Sequence, residues 1–547
     1  MFPGAIVEGL QAALAAAAAA GDLPALDIEV EVERPRDPTH GDWASNVSLA
    51  ASKAAGKNPR QVAELLVEHL PVIVHLESVD IAGPGFLNFR LSINWLLEVL
   101  RAAATGGTDY ARSGAGAGER VLVEYVSSNP TGPLHIGHAR GGFLGDSLSN
   151  LLDHAGYGVA REYYFNDAGG QMDRYTASFV ARYRGAAVPE NGYHGRYLAE
   201  WVAELVASQG SDLDDAAAAA WGVDRAMANI RATLERAGIG MDSFVSEQEI
   251  HDKGEVDLSL DAMRRAGHVY DEGGAVWFRA TTFGDEKDRV LVKSDGSYTY
   301  VVPDIAYHWD KFVRGYGTLI NIWGADHHGY IPRLKAGIAA AGYDPDRLEI
   351  IITQLVTLTR SGEPMKMSTR AGEFVTLDAV LDEVGVDATR YHLLAFSPDS
   401  AITFDLDEVA RRSMDNPVFY LQYAHARMRS LERFASAAGV DRGPLEDAPL
   451  DLLVDETEVS LLRTIDRLAE EIELAAVRRA PHRLCTYGYE LAGAFHKFYA
   501  DVRIVGEEAG AAIPPELTRS RLWLVEAAKN ALLVVLGILG ISAPEEM

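Results

Sequence analysis

The chain has 547 residues, 48% hydrophobic and 24% charged, an ordinary balance for a soluble globular protein of two or three domains. Its one cysteine, Cys485, excludes an intramolecular disulfide framework and any cysteine-rich zinc module, and fits a reducing compartment. A net charge of −29 argues against a broadly basic nucleic-acid surface, while leaving room for a local groove of Arg and Lys inside an acidic remainder.

Residues 1–110 read as a small α/β domain. Its opening lacks the basic region of a signal peptide, and no apolar run approaches a membrane span, so a cytoplasmic location and no membrane partner are expected. Asn58-Pro59 caps a helix carrying Val62, Leu65, Leu66 and Leu70. Residues 79–91 read as strand, Gly83-Pro84-Gly85 turn, strand. Trp43, Phe86 and Phe89 pack a core or stack on a ligand. Residues 113–118, S-G-A-G-A-G, have a flexible linker's composition.

From residue 120 strands and helices alternate: strands over 121–128, 158–165, 318–323 and 348–356, with helices from about 135 and over 329–341. This βαβ pattern predicts a Rossmann-type doubly wound parallel sheet over residues 111–404. A stretch of about 172–290, with its own helical pattern, reads as an insertion walling the site. Beyond 405 the chain predicts an all-helical domain to 547, with helices over 406–438, 455–476, 482–507 and 517–539. There Arg427, Arg429, Arg433, Arg478, Arg479, Arg483, Lys497 and Arg503 interleave with Tyr423, Tyr487, Phe498 and Tyr499. Such a pattern suits RNA phosphates and bases, or equally a solvated helix face over an aromatic core.

Two stretches carry chemistry. In H-I-G-H, His135 and His138 sit where a strand turns into a helix, and the helix N-terminus attracts phosphate. They read as catalytic groups, core histidines or, least well, zinc ligands, because no third soft ligand follows. Downstream, M-K-M-S-T-R holds Lys366, Met367, Ser368 and Arg370 in a Gly-flanked loop suited to a polyphosphate, or to plain solvent exposure.

Together, S-S-N-P-T-G-P-L-H-I-G-H and K-M-S resemble the two signatures of class I aminoacyl-tRNA synthetases. H-G-D-W-A-S-N, A-G-P-G-F-L-N-F, F-N-D-A-G-G-Q, W-G-A-D-H-H-G-Y, D-N-P-V-F-Y-L-Q-Y-A-H-A-R and the C-terminal L-L-V-V-L-G-I-L-G-I-S-A-P-E-E-M are similar to the arginyl branch. The resemblance implies activation of arginine with Mg-ATP to arginyl-adenylate, then transfer to the terminal 2′-hydroxyl of tRNA(Arg), by a monomer with no protein-bound zinc. It commonly implies that bound tRNA must precede arginine activation. By it, Pro133, His135, Gly137, His138, Lys366, Met367 and Ser368 bind ATP; His135, His138, Lys366, Ser368 and Arg370 stabilise the transition state rather than act as bases.

By the same resemblance Asp304 and Glu124 take the guanidinium, since a buried guanidinium demands matching carboxylates, with Tyr300 beside them, and Asn129 with Asp326 or His327 takes the α-amino group. Phe86 and Asn88, with Tyr423, Arg427, Arg478, Arg483 and Arg503, fall on the tRNA-contacting domains. The sequence departs from the usual pattern where a second lysine follows the serine: Thr369-Arg370 stand there, and Gly132 takes the alternative lysine position before H-I-G-H. Arg370 is the expected substitute charge. Two rival readings are a catalytically dead RNA-binding paralogue and a small-molecule nucleotidyltransferase.

Overall fold

The computed structural model describes residues 2–35, 37–365, 375–508 and 511–547. Two compact units form, each from separated segments: Met1–Gly107 with Glu432–Ala469 and Ala494–Asn530, and Thr108–Leu431 with Glu470–Gly493 and Ala531–Met547. The space-filling units thus divide the helical C-terminal region between them.

In the first unit, β1 (Trp43–Ser45), β2 (Leu76–Ala82) and β3 (Phe86–Leu91) make an antiparallel sheet in the order β1-β3-β2. Asn58 starts the Pro59–Glu68 helix as expected, its side chain accepting from Arg60 N at 3.0 Å while Gln61 reaches back to Asn58 N at 3.2 Å. Trp43 and Phe89 are core, with Ile6, Leu10, Val62 and Leu66, whereas Phe86 is 38% exposed. Asp466 joins the opening module to the helical segment of its own unit, accepting from Arg34 at 2.6 Å and Trp95 Nε1 at 3.0 Å.

The second unit holds the central sheet, whose first strands are β4 (Arg120–Glu124), β5 (Gly158–Phe165) and β6 (Ser243–Ser246). Next come β7 (Val269–Glu272), β8 (Ala275–Phe278) and β9 (Arg289–Val292), a small antiparallel sheet of their own. Then β10 (Thr318–Gly324) and β11 (Leu348–Thr353) complete a fully parallel order, β11-β10-β4-β5-β6. The winding reverses between β4 and β10, so their carboxyl ends open the crevice where doubly wound sheets bind ligands.

Several expectations need correction. The strand expected to reach 128 stops at Glu124, because Val126 (φ 70°) and Ser127 (φ 40°) turn into left-handed backbone. The expected strand 348–356 is two elements, since β12 (Val356–Arg360) pairs instead with Glu363–Pro364 and Ile402–Asp405. The stretch 172–290 is not wholly an insertion: β6 within it is the sheet's edge strand, too short and polar (S-F-V-S) to show a period. Its helices Gly170–Tyr183, Arg196–Gln209 and Asp215–Arg236 do share a core around Tyr175, Phe179 and Trp201.

The expected linker 113–118 is bonded down: Ser113, Gly116 and Gly118 donate to the carbonyls of His154, Ala155 and Gly156, and a Cβ on Gly116 would meet the Tyr157 ring at 2.5 Å. Its glycines serve close approach. The first C-terminal helix divides into Leu406–Val409 and Pro417–Ala437, because Asn416 binds the carbonyls of Val409 and Arg411 and Pro417 restarts the helix. Residues 455–476 likewise divide into Glu456–Asp466 and Leu468–Val477, and the 482–507 helix ends at Asp501. Among the described residues two helices, Pro3–Ala20 and Pro515–Leu539, are in fact long and apolar enough to cross a membrane, by length and composition; the second is mostly buried, as a core helix is.

A buried cation locks the helix Ile136–His154 in place. Arg390, fully buried, lies 2.6 Å from Asp146 and donates to the carbonyls of Gly238 (2.7 Å) and Leu539 (3.1 Å). Removing the guanidinium leaves Asp146 buried and unpaired, so Arg390→Met is expected to cost about 3–5 kcal/mol. Chemical denaturation of the full chain checks this; a loss below about 1 kcal/mol would contradict the assigned role.

Candidate active site

The H-I-G-H corner is built by backbone needs. His135 is the N-cap of Ile136–His154: its Nδ1 accepts from Gly137 N at 3.1 Å, and His138 Nδ1 accepts from His135 N at 3.2 Å. The rings stack with centroids 3.8 Å apart. With both Nδ1 atoms accepting, each neutral ring carries its proton on Nε2. Burial holds His135 below its ordinary value, and burial plus the neighbouring His135 ring push His138 down to about 3. At neutral pH this pair is a set of N–H dipoles, not of charges. A Cβ on Gly137 would come within 3.0 Å of His135 Cε1, so glycine there makes room for the folded-back ring.

Arg140, buried one turn on, donates to the carbonyls of Gln354 (2.7 Å) and Ser397 (2.9 Å), tying this helix to the chain beyond β11. Lys366, Met367, Ser368 and Arg370 lie outside the described residues. The chain that follows them is anchored at the corner, where Leu377 N donates to Leu134 O at 2.7 Å and Thr376 bridges His135. At Gly132 a side chain would meet the Tyr197 ring at 2.9 Å, and Tyr197 Oη donates to Thr131 O at 2.7 Å. The helix Arg196–Gln209 thereby takes the space a lysine at 132 would need.

Beside this neutral corner is an acidic one. Asp304, Tyr307, His308 and Lys311 recur at helical spacing on one face of Val301–Val313. Lys311, fully buried, donates to Glu124 Oε2 at 2.5 Å and sits 4.0 Å from the centroid of the Tyr307 ring; Ser127 Oγ donates to Glu124 Oε1 at 2.9 Å. Asn321 of β10 links Lys311 to His308, donating to His308 Nε2 at 2.7 Å, while His308 Nδ1 donates to Asp304 O at 2.7 Å. Burial, then Lys311, keep His308 neutral. Buried Glu162 takes a forked pair from Arg314 at 2.8 and 2.9 Å and a third bond from Tyr307 at 2.8 Å; against the cost of burial, these hold it below the usual carboxylate range.

Two carboxylates have no such cation among the described residues. Asp304 accepts from Tyr330 Oη at 2.5 Å, and Glu247 from Tyr164 Oη at 3.1 Å. Burial, with the charges of Glu247 and Glu124 added, raises Asp304 to about 7, and burial raises Glu247 as well. These two half-buried carboxylates are thus under-compensated by positive charge among the described residues. Glu247 was not anticipated from sequence. The one available signal was its place just after the Ser246 N-cap, which brings it to the carboxyl end of β6.

Not all expected residues converge here. Asn129 lies at the corner, donating to Gln171 Oε1 at 2.7 Å and accepting from Asn166 N at 3.0 Å. Tyr300 is 86% exposed at the start of its helix, and Asp326 and His327 form an exposed pair 3.6 Å apart. In the first unit Asn88 is buried within β3, and Arg503 is exposed. In the second, Arg427 stacks on Tyr423 with its guanidinium 4.6 Å from the ring centroid, Arg478 is exposed, and Arg479 and Arg483 are ion-paired with Glu349 (2.9 Å) and Glu471 (2.8 Å).

Three family models match the chain. They are described as the arginyl tRNA synthetase N terminal domain (residues 5–91), the catalytic domain of class I (R) tRNA synthetases (104–189 and 213–413) and the DALR anticodon binding domain (421–547). The arginine–tRNA ligase of Frankia alni is 47% identical, with all of both chains covered. That of Bacillus subtilis is 44% identical over 95% of this chain and 94% of its own. The solved arginyl-tRNA synthetase of Thermus thermophilus shares the fold with a TM-score of 0.77 at 24% identity, covering both chains fully.

The neutral pair carries a direct expectation. In two-dimensional NMR of ¹⁵N-histidine-labelled protein, assigned with His135→Gln and His138→Gln, His138 keeps its Nε2–H tautomer from pH about 8 to about 5, and His135 gains its proton below about 6.5. A His138 midpoint above about 6 would overturn this reading.

Proposed function

The chain belongs to the arginyl-tRNA synthetase family, and on that premise we propose how its own residues join arginine to tRNA. The activity is that of an arginine–tRNA ligase. The observation that supports an arginine pocket here is the under-compensated pair Asp304 and Glu247, bordered by tyrosines at the carboxyl ends of the strands. A guanidinium supplies the missing positive charge in a planar, forked form. Glu124, expected on the guanidinium, is already paired with Lys311 and is assigned instead, with Asn129 and with Asp326 or His327, to the α-amino end, while exposed Tyr300 stands beside the guanidinium.

ATP, arriving as its Mg²⁺ complex, binds at the His135–His138 corner with Pro133 and Gly137 against the nucleotide. Lys366, Met367, Ser368 and Arg370 bind its phosphates. In the first step an arginine carboxylate oxygen attacks the α-phosphorus, and the bond to the leaving pyrophosphate breaks. His135 and His138, neutral and protonated on Nε2, donate to phosphate oxygens as charge builds there; their lowered basicity suits donors better than general bases. In the second step the terminal 2′-hydroxyl of tRNA attacks the arginyl carbonyl and AMP leaves. The RNA is held by residues 1–110 through exposed Phe86, and by residues 405–547 through Tyr423, Arg427, Arg478 and Arg503; Asn88, buried in its strand, and Arg483, paired with Glu471, serve the fold instead. The enzyme works as a cytoplasmic monomer.

Charging of total tRNA with each labelled amino acid in turn tests this reading. Arginine is the expected product, and charging with another amino acid in its place would refute the pocket. Arginine affinity should also depend on pH. Asp304 is protonated below about 7 in the free enzyme, and that proton must leave before a guanidinium binds. Calorimetry should therefore show affinity level above about pH 8 and falling up to about tenfold per pH unit below about 6, with proton release growing in step. A profile flat from pH 6 to 8 would remove Asp304 from the pocket.

A further inference from the structure

Four carboxylates crowd the ends of the strands, and the two without a cation among the described residues each accept a bond from a tyrosine: Asp304 Oδ2 from Tyr330 at 2.5 Å, Glu247 Oε2 from Tyr164 at 3.1 Å. The tyrosines come from different elements, Tyr164 from β5 and Tyr330 from the end of the Ala325–Tyr330 turn after β10. Tyr164 is held flat against Tyr307, centroids 4.2 Å apart, and Tyr307 in turn donates to Glu162. The hydroxyls are thus placed by packing before any ligand arrives.

We propose that Tyr330 and Tyr164 are positioning residues that stand in for the substrate's cation: they hold Asp304 and Glu247 aimed and ionisable, each on one oxygen, leaving the other oxygen of each to the guanidinium. This rests on the reading of these two carboxylates as the guanidinium site. A carboxylate has room for such sharing, with about four lone-pair positions over two oxygens. Burial, then the nearby carboxylates, push both phenols far above their ordinary range, so both hydroxyls remain donors at any working pH.

The groups facing Asp304 set the sign of the effect. Glu247 from its short helix and Glu124 from β4 oppose its ionisation, and Lys311 on its own helix favours it. Tyr330 is the strongest influence on the favourable side, and Arg333 acts on Tyr330 from the following helix. Removing the Tyr330 hydroxyl moves Asp304 further up. Arginine then competes with a tighter proton, and the loss of affinity is confined to the acid side.

Calorimetric titration of arginine into the full-length protein, wild type and Tyr330→Phe, from pH 6 to 9 tests this. If the acid limb moves up by about one pH unit, the variant binds about fivefold more weakly at pH 7 and within about 1.2-fold of wild type near pH 9. A loss of equal size at every pH, or none, would overturn the proposal, since a merely structural role weakens binding uniformly. Tyr164→Phe, which touches Glu247 instead, repeats the test should Tyr330→Phe unfold, with unfolding midpoints recorded for both. Wild-type protein that binds no arginine, or binds it with no dependence on pH, would defeat the underlying reading instead.

Discussion

The arrangement depends on a charge imbalance at one end of the parallel sheet. Glu124, Glu162, Asp304 and Glu247 gather there in a setting that water reaches poorly, and taking an ionised carboxylate out of water costs several kcal/mol unless something replaces the water. Lys311 and Arg314 replace it for Glu124 and Glu162. Tyrosine hydroxyls replace it only in part for Asp304 and Glu247, to which the described residues bring no cation. A single helix, Val301–Val313, manages most of the balance, presenting Asp304, Tyr307, His308 and Lys311 along one face.

The other end of the site is neutral by construction. His135 and His138 spend their Nδ1 atoms on the backbone N–H groups of the helix start, a task more often given to Ser or Asp. Their remaining N–H groups add to the helix dipole without adding a charge that would need its own counter-ion. An acidic cluster and a neutral helix start thus lie on either side of the same strand end. The chain joining them is the left-handed turn at Val126 and Ser127, a costly conformation for a β-branched residue. Ser127 repays part of that cost by donating to Glu124 and accepting from Tyr164 N.

The acidic composition is resolved locally. Arg479 and Arg483 are met by Glu349 and Glu471, so a list of basic residues overstates the charge available to RNA. Arg427 is laid on Tyr423 and Arg478 is exposed, in a region where the DALR anticodon binding domain model matches. An otherwise acidic surface suppresses binding to nucleic acid in general, and leaves selection to such local features.

What the sequence determined by itself was whatever depends on near neighbours in the chain. The alternation of strand and helix, the Asn58-Pro59 cap, the Gly83-Pro84-Gly85 turn and the histidine corner are all set within a few residues, and so are legible as patterns. Glu124 and Asp304 could be singled out from their likeness to a known family. Tertiary structure alone decided which carboxylates already have a cation, because Lys311 and Glu124 lie 187 residues apart in sequence. It alone brought in Glu247 from a short, polar edge strand, placed the Tyr197 ring over Gly132, and turned a glycine-rich linker into a bonded seam. Each of these rests on distance and burial, and a residue's type carries no record of which distant group removes its water.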